Sequence, residues 1–339
     1  MGKTALVLGG GGLVGMAYHA GALKALHDQG LDLAGADMIV GTSAGSIIAS
    51  YLAAGWDGGD FYEYAHGRHR DVEKDPPDQE EAVRDLFVPL WGTKLQRAQR
   101  SVGSLFAVAT SRGYWPGGRR GRVPPEGLRR AFPAGLYSTE RTRRRLQEDL
   151  PAEWPRDGLV ICGAELYSGE LAPFGRAGAP EASLPDAVLA SCAIPGLFPP
   201  VKIGDHYYVD GGIVSATSLD LAVEDGCERI LCVSPLGYRG EGSIFAADPR
   251  IWPAIASRQL FARTLRREVQ QARRKGCEVL VIRPWLDELA ALGMNAMRHF
   301  DRRAVADAAS AGAHRLLEQN EGHPVVEAFK PPKDKEKAG

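Results

Sequence analysis

The chain has 339 residues, with 41 lysines and arginines against 42 acidic residues, so its formal net charge at pH 7 is −1. This near-neutral balance gives no global reason to expect binding to nucleic acid. A content of 44% hydrophobic and 24% charged residues is that of a globular protein with room for one or two domains. No signal peptide and no apolar run of about 18 residues is evident, so we expect a cytoplasmic protein and leave peripheral membrane contact open.

The first 55 residues predict two strands that alternate with two helices. In chain order the segments are a strand over 4–8, a glycine run over 9–15, a helix over 16–29, a strand over 38–40, a turn over 41–45 and a helix over 46–54. This order is typical of a parallel sheet with crossover helices. Both glycine-rich turns follow strands directly, so we expect them to be neighbours at one edge of that sheet.

Ser43 stands at the apex of the second turn, in the sequence G-T-S-A-G from Gly41 to Gly45. Small residues suit such a sharp turn, because glycine removes the Cβ atom that would clash with neighbouring backbone. A serine at a helix N-terminus also lies near free N–H groups, which favour developing negative charge. The pattern therefore predicts a nucleophile elbow, and its alternative is a glycine-rich turn with an incidental serine.

Strand signals vanish between residues 56 and 150, where we predict an inserted helical cap. Residues 91–114 carry apolar side chains at helical spacing. From Lys94 to Arg145, thirteen lysines and arginines stand against two acids, Glu126 and Glu140. Two interpretations stay open: a solvated cap kept soluble by its charges, or a lid that lies on an anionic membrane surface.

The α/β pattern returns after residue 158. The predicted elements are a strand over 159–162, a helix over 184–192, a hairpin over 199–209, a helix over 219–224, a strand over 229–233, a basic helix over 252–275, a strand over 278–282 and a helix over 301–319. We predict a single domain over 1–325 with the cap at 56–150, followed by a disordered tail over 326–339.

Acyl transfer requires a nucleophile, a base and donors to an oxyanion. Ser43 can supply the nucleophile, and the amides of Gly10, Gly11 and Gly12 can approach an oxyanion closely because no side chains intervene. Asp210 can supply the base, since it follows the second arm of the hairpin and precedes two glycines. Its alternative role is that of a turn aspartate that caps the hairpin or the next helix.

We expect no histidine to act as the base. His206 is closest in sequence to Asp210, but four residues of regular strand separate them by roughly 13 Å. His19 lies inside the first predicted helix, where we expect it to pack or to cap. If Asp210 serves as the base without a histidine, it must be a stronger base than free aspartate, through partial burial.

Four motifs occur in one order: L-V-L-G-G-G-G-x-x-G, G-T-S-A-G, A-S-x-A-I-P-G-x-F-P-P-V over 190–201, and D-G-G. Together they resemble the motifs of the patatin-like phospholipases, over roughly residues 3–55 and 158–235. The resemblance implies a three-layer α/β/α fold with a mainly parallel central sheet, and lipid acyl hydrolase activity on a lipid or other acyl ester. The residues to which it assigns roles are Ser43 (nucleophile), Asp210 (proton acceptor), Gly10, Gly11 and Gly12 (oxyanion hole), and Gly15, Gly41, Gly45, Gly211 and Gly212 (motif support).

One position departs from this family. Arginine or lysine usually precedes the last glycine of the first motif, and Val14 stands there in this chain. A cation at that place would help to hold the oxyanion or the loop. We expect no cofactor and no metal, and the oligomeric state is not predicted.

Three other functions remain open at this point. Gly10-x-Gly12-x-x-Gly15 after a strand also fits a dinucleotide fingerprint, with Asp32 or Asp37 as the ribose acid. The same fold could transfer the acyl group to an alcohol or amine instead of water. A catalytically weak membrane scaffold is the third alternative, motivated by Val14 and the arginine-rich cap.

Overall fold

The structure is a computed structural model, and it describes residues 2–71, 87–110, 126–239, 251–297 and 301–331. The chain divides into two units. The first comprises Met1–Lys74 and Ala216–Gly339, and the second comprises Asp75–Ser215. Both ends of the second unit differ from those of the predicted insertion at 56–150. The unit begins after Lys74 and extends to Ser215. The single-domain organisation stays a prediction.

The described elements alternate as the sequence predicts in the first unit. In chain order the strands are β1 (Thr4–Leu8), β2 (Met38–Thr42), β3 (Leu159–Glu165), β4 (Leu171–Phe174), β5 (Val201–Ile203), β6 (His206–Asp210), β7 (Arg229–Val233) and β8 (Glu278–Ile282). The helices are α1 (Gly12–Asp28), α2 (Ala44–Ala53), α3 (Gly58–Ala65), α4 (Lys94–Thr110), α5 (Glu126–Ala131), α6 (Glu140–Asp149), α7 (Leu184–Ser191), α8 (Leu219–Glu224), α9 (Trp252–Arg274), α10 (Leu289–Leu292), α11 (Arg302–Gln319) and α12 (Pro324–Ala328). A 3₁₀ turn, Gly211–Ile213, follows β6.

The first unit is built on four parallel strands in the order β2-β1-β7-β8. Every residue of β1 and β2 is buried, as expected for strands that helices cover on both faces. The register pairs Leu8 of β1 with Gly41 of β2 and with Val233 of β7. The carboxyl ends of β1 and β2 therefore lie side by side, which confirms that the two glycine-rich turns are neighbours.

Helix α1 packs against α3 and α11 in the first unit. A Cβ atom at Gly21 would overlap the carbonyl oxygen of Ala306, so glycine permits the close approach of α1 and α11. Most of the inward face of α1 consists of alanine, glycine and leucine, and it is fully buried. Small residues thus let this helix come close to its neighbours while it carries the glycine run at its start.

The second unit has antiparallel pairing. β3 pairs with β4 and with β6, and β5 pairs with β6 as the predicted hairpin around Gly204. β4 was not predicted, because Pro173 lies in the strand and proline normally argues against one. Helix α7 begins after Ser183, whose hydroxyl accepts the N–H of Asp186 as an N-cap.

The carboxyl-terminal helix corrects one predicted boundary. α12 extends past residue 326, where the sequence predicts a disordered tail, and Val326 and Phe329 are buried. The N–H of Asp32 donates to the carbonyl of Phe329, which ties this segment to the first unit. Residues 332–339 lie outside the described part of the chain. Among the described residues, no helix is long and apolar enough to cross a membrane.

Glu288 is a buried carboxyl in the first unit, only 4% exposed. It lies against α11 at Gly312, where a Cβ atom would overlap its Oε1, and Nη2 of Arg315 approaches Oε1 at 3.6 Å. Burial, with a smaller contribution from neighbouring Asp287, raises the pKa of Glu288 to about 8. The folded protein therefore holds a proton here at pH values where the unfolded chain has released it.

Replacement of Glu288 by glutamine should flatten the pH dependence of stability. Because the folded pKa is raised, the stabilising effect is complete below about pH 4.5 and is lost as the pH rises toward 8, by up to about 1.4 kcal/mol per pH unit. Urea unfolding from pH 5 to 8.5 should show a steeper decline for the wild type than for Glu288→Gln. The control is Glu278→Gln at an exposed position, which should follow the wild type. Equal slopes for wild type and Glu288→Gln would contradict this assignment.

Candidate active site

Ser43 lies between the last residue of β2 and the first residue of α2, with φ 52° and ψ −122°. Positive φ is costly for a residue with a side chain, and among the described non-glycine residues only Ser43 and Ser218 have it. Ser43 is 6% exposed. The N–H and the hydroxyl of Ser46 both donate to the Ser43 carbonyl, at 2.8 and 2.6 Å. The backbone conformation at Ser43 is therefore that of a sharp strand-to-helix elbow.

The two glycines around Ser43 are required by contact. A Cβ atom at Gly45 would overlap the carbonyl oxygen of Leu8, at the end of β1. A Cβ atom at Gly41 would lie 2.7 Å from the carbonyl oxygen of Gly45 and 2.8 Å from the Cβ atom of Ala49. α2 thus starts directly against the end of β1, and only glycine fits at these two positions.

The glycine run after β1 lies beside Ser43. A Cβ atom at Gly10 would be 3.4 Å from the Cβ atom of Ser43. The N–H of Gly10 donates to the Ala216 carbonyl at 2.7 Å, so in this structure it is engaged within the protein. For the amides of Gly11 and Gly12, the described residues offer no hydrogen-bond acceptor. These two amides are at the start of the 17-residue helix α1, whose dipole favours negative charge there.

His19 holds the glycine run in place. Its Nε2 lies 2.7 Å from the carbonyl oxygen of Gly9, and its side chain is completely buried. Burial lowers the pKa of His19 to about 4, so the ring is neutral at pH 7 and Nε2–H donates to the carbonyl. The expectation that His19 packs is confirmed. Its specific bond to Gly9 is a finding that helical spacing alone does not predict.

Val14 is 2% exposed, at the position where the family usually has a cation. Its N–H donates to the Ala296 carbonyl at 3.2 Å, and a Cβ atom at Gly12 would lie 2.6 Å from the sulfur of Met297. The segment that follows α10 therefore covers the start of α1. Buried Arg258 donates to the Gly293 carbonyl at 2.7 Å and so anchors the beginning of that segment.

Asp210 belongs to the second unit and is the last residue of β6. It is 4% exposed, and its Oδ1 accepts the N–H of Gly212 at 2.8 Å. The N–H of Asp210 donates to the carbonyl of Ala193 at 3.1 Å. A Cβ atom at Gly211 would overlap the Cys162 carbonyl, which explains the first glycine of D-G-G. The carboxylate is thus buried and oriented by its own turn.

The third motif supports the Asp210 strand. Ser191 ends α7, and its hydroxyl donates to the Cys162 carbonyl of β3 at 2.6 Å. Two residues later, Ala193 provides the carbonyl that accepts from Asp210. The A-S-x-A part of the sequence therefore connects α7 to β3 and β6 within the second unit. Sequence reasoning noted the motif, but it did not assign these contacts.

The two acids of the dinucleotide alternative form hydrogen bonds with other parts of the chain. Asp37 precedes β2, and its Oδ2 accepts the N–H and the hydroxyl of Thr4 at 2.7 and 2.9 Å. Thr4 begins β1, whereas the glycine run follows its end. Asp32 accepts the N–H of Gly35 in a local turn. Asp37 is thus engaged at the amino ends of the parallel strands, opposite the edge where a nucleotide would bind.

Ser43 is a strained serine between a strand and a helix, and it lies beside the glycine-rich start of another helix. This part of the α/β fold is therefore a candidate nucleophile site. The chain belongs to the patatin-like phospholipase family, whose model matches residues 6–223. That match includes all four motifs and both Ser43 and Asp210. The α/β fold class of the patatin type that the sequence predicts is confirmed.

The alignments with known relatives cover only a part of each relative's length. An uncharacterized NTE family protein of Mycobacterium tuberculosis is 27% identical over 229 residues, which cover 67% of this chain and 29% of the relative. Lysophospholipase NTE1 of Kluyveromyces lactis is 26% identical over 230 residues, which cover 67% of this chain and 12% of the relative. The chain thus spans less than a third of the length of these relatives.

Two solved structures share a general likeness. VipD from Legionella pneumophila aligns with a TM-score of 0.45 and 17% identity, over 94% of this chain and 67% of that chain. The type III effector protein ExoU aligns with a TM-score of 0.38 and 19% identity, over 94% of this chain and 53% of that chain. These similarities are too weak to bear on function.

Substitution of Gly45 by alanine should prevent correct folding of the elbow. The added methyl group would overlap the Leu8 carbonyl, which is backbone and cannot rotate away. We expect Gly45→Ala to be insoluble, or to lose about 3 kcal/mol or more of unfolding free energy in urea. Gly127→Ala is the matched control, since a Cβ atom there meets nothing within 4 Å. A Gly45→Ala protein as stable as Gly127→Ala would refute the proposed crowding.

Removal of the His19 ring should destabilise the glycine run. His19→Ala leaves the buried Gly9 carbonyl without its donor, which costs about 1–3 kcal/mol in addition to the cavity. His19→Gln can return an N–H close to the place of Nε2, so we expect a smaller loss. Exposed His206→Ala should stay within about 0.5 kcal/mol of the wild type in urea unfolding. The role of the ring would be excluded if the alanine and glutamine variants were equally stable.

Proposed function

We propose that this protein is a lipid acyl hydrolase of the phospholipase A or esterase type that uses a Ser43–Asp210 dyad. The observation that carries the proposal is the positive-φ conformation of Ser43 at a strand-to-helix elbow, next to Gly10. A residue other than glycine is held in such a conformation only when the surrounding structure requires it. Family membership supports the lipid ester as the substrate class.

In the first half of the proposed reaction, Oγ of Ser43 attacks the ester carbonyl carbon. Asp210 takes the hydroxyl proton, and negative charge develops on the carbonyl oxygen. When the intermediate collapses, the ester C–O bond breaks and the proton passes from Asp210 to the departing alcohol, which leaves as a lysolipid or free alcohol. The acyl group remains on Ser43 as an ester.

In the second half, water attacks the acyl-enzyme while Asp210 accepts its proton. The tetrahedral intermediate collapses, Ser43 regains its hydroxyl proton, and the fatty acid leaves. We assign the oxyanion hole to the run Gly10–Gly12. Within it, Gly11 and Gly12 supply the donors, because the Gly10 N–H already donates to the Ala216 carbonyl. The role of Gly10 is to let the backbone lie close to Ser43. One such donor is typically worth about 2.7–4 kcal/mol.

The buried position of Asp210 supports its role as the base. Its carboxylate accepts one N–H from Gly212, and 4% exposure limits its hydration. The two residues that follow it in the turn, Gly211 and Gly212, carry no side chains that could crowd the carboxylate. A turn aspartate with only a capping role does not need to be buried.

Replacement of either dyad residue should abolish ester hydrolysis. We expect Ser43→Ala and Asp210→Asn each to lower kcat/KM on a short-chain ester by about 10³-fold or more, and Ser43→Ala to lose labelling by a fluorophosphonate. The matched controls are Ser50→Ala, a second buried serine of α2, and Asp205→Asn in the hairpin turn. Thermal unfolding of each variant checks that the fold is kept.

Two results would overturn the proposal. Labelling that persists in Ser43→Ala would place the nucleophile elsewhere. Near-normal turnover in Asp210→Asn would remove the dyad while leaving the elbow serine in place. A panel of acyl esters of increasing chain length on the wild type then reports the acyl preference.

A further inference from the structure

Helix α4 exposes three large aliphatic side chains on one face. Leu95, Val102 and Leu105 are 69%, 51% and 70% exposed. Their spacing of seven and three residues places them on the same side of a helix. We call these three residues the apolar face of α4. Such a row is unusual on a protein surface, where large aliphatic side chains normally occur singly.

The opposite side of α4 is held firmly within the second unit. A Cβ atom at Gly103 would overlap the Phe132 carbonyl, so the helix touches that segment through backbone. The hydroxyl of buried Ser104 accepts the N–H of Gly135 at 2.9 Å, and Arg100 donates to the Gly135 carbonyl at 3.0 Å. These contacts fix the rotation of α4 about its axis, and they turn the apolar face outward.

Positive charge accompanies the apolar face. Lys94 and Arg97 are exposed, and the described residues provide no acidic partner for either. Residues 94–110 contain no aspartate or glutamate. Arg97 lies over the ring of Trp91 at 5.4 Å. A guanidinium over an indole is a cation–π contact, and tryptophan is enriched at the level of lipid headgroups.

Two arginines of α6 behave differently. Arg143 forms an ion pair with Asp186 at 2.5 Å, and Arg145 pairs with Asp149 on the same helix. Their charges are neutralised locally, as in the solvated-cap interpretation of this region. The basic excess of the cap is therefore not uniform. In the described part of the cap, Lys94 and Arg97 of α4 keep their charges without an acidic partner.

We propose that α4 is a docking element for an anionic lipid surface. The apolar face enters the boundary between headgroups and acyl chains, while Lys94 and Arg97 contact lipid phosphates. This inference rests on the proposed function, since a lipid hydrolase must approach its substrate in a membrane. The helix lies in the plane of the interface, in keeping with its 17 residues and its one-sided apolar face.

A second copy of the chain is a poorer occupant of this surface. In a twofold contact the same patch meets itself, so Lys94 and Arg97 of one copy would face those of the other. No acid on α4 could offset that repulsion. An anionic bilayer offers both an apolar layer for the leucines and negative charge for the cations, and it matches the whole patch.

Vesicle binding of the Ser43→Ala protein tests the proposal apart from catalysis. The vesicles are phosphatidylcholine, with or without about 30% phosphatidylglycerol, and binding is measured by flotation. We expect binding to the anionic vesicles, weakened about tenfold by Leu105→Asn and further by Leu95→Asn in the same chain. Lys94→Gln should weaken it about fivefold, and high salt should remove this difference. Leu260→Asn on α9 is the matched control, because Leu260 is also 70% exposed.

The proposal fails if the leucine variants bind anionic vesicles as tightly as Leu260→Asn does. It also fails if light scattering shows a dimer that Leu105→Asn dissociates, because the face would then be covered by a second copy. The variants with Ser43 intact should hydrolyse a soluble short-chain ester at the wild-type rate. Loss of vesicle binding with retained ester turnover thus separates this inference from the proposed function.

Discussion

The crossing of α2 against the end of β1 is the constraint on which the candidate site depends. At Gly45 the helix passes the Leu8 carbonyl so closely that no side chain fits between them. Because β1 continues directly into the glycine run, this approach brings Gly10 to the side of Ser43. A methyl group at Gly45 would push α2 away from β1 and so separate the serine from the glycine amides. The strain at Ser43 follows from the same crossing, since the chain must reverse direction within one residue.

A turn made of glycines exposes much backbone, and buried backbone groups require partners. The carbonyl of Gly9 accepts a hydrogen bond from the neutral ring of His19, and the N–H of Gly10 donates one to the Ala216 carbonyl. The Ser43 carbonyl receives two donors from Ser46. These bonds leave little freedom in the loop. In the proposed reaction, amides of Gly11 and Gly12 that are fixed beforehand would need no reorganisation.

Local pattern and strand order sufficed to predict much of the fold. Short runs that are mostly apolar mark β1, β7 and β8 to the residue, because buried parallel strands carry apolar side chains on both faces. Helix ends were less certain. α1 starts at Gly12, one turn earlier than its apolar spacing indicates, since glycines at a helix start carry no periodicity.

The contacts that complete the site join distant parts of the chain. Ala216 is over 200 residues from Gly10 in sequence, and Ala193 reaches Asp210 by its carbonyl, which any residue has. Such bonds have no residue-type signature. A buried histidine in a helix is likewise compatible with packing alone, so its bond to Gly9 depends on the tertiary arrangement. The sequence thus indicates the candidate side chains for chemistry, but it does not indicate which contacts orient them.

The parallel register also distinguishes two functions of the glycine run, dinucleotide binding and acyl transfer. In a dinucleotide site the acid that binds the ribose stands at the carboxyl end of the second strand, beside the glycine turn. Here that end of β2 leads into Ser43, while Asp37 precedes the strand and is bound by Thr4. Five residues of strand span roughly 16 Å, so Asp37 is a full strand length from the carboxyl ends of the strands, where the glycine run lies. The glycine run therefore faces a hydroxyl where a nucleotide-binding protein presents a carboxylate, and this supports acyl chemistry over ribose recognition.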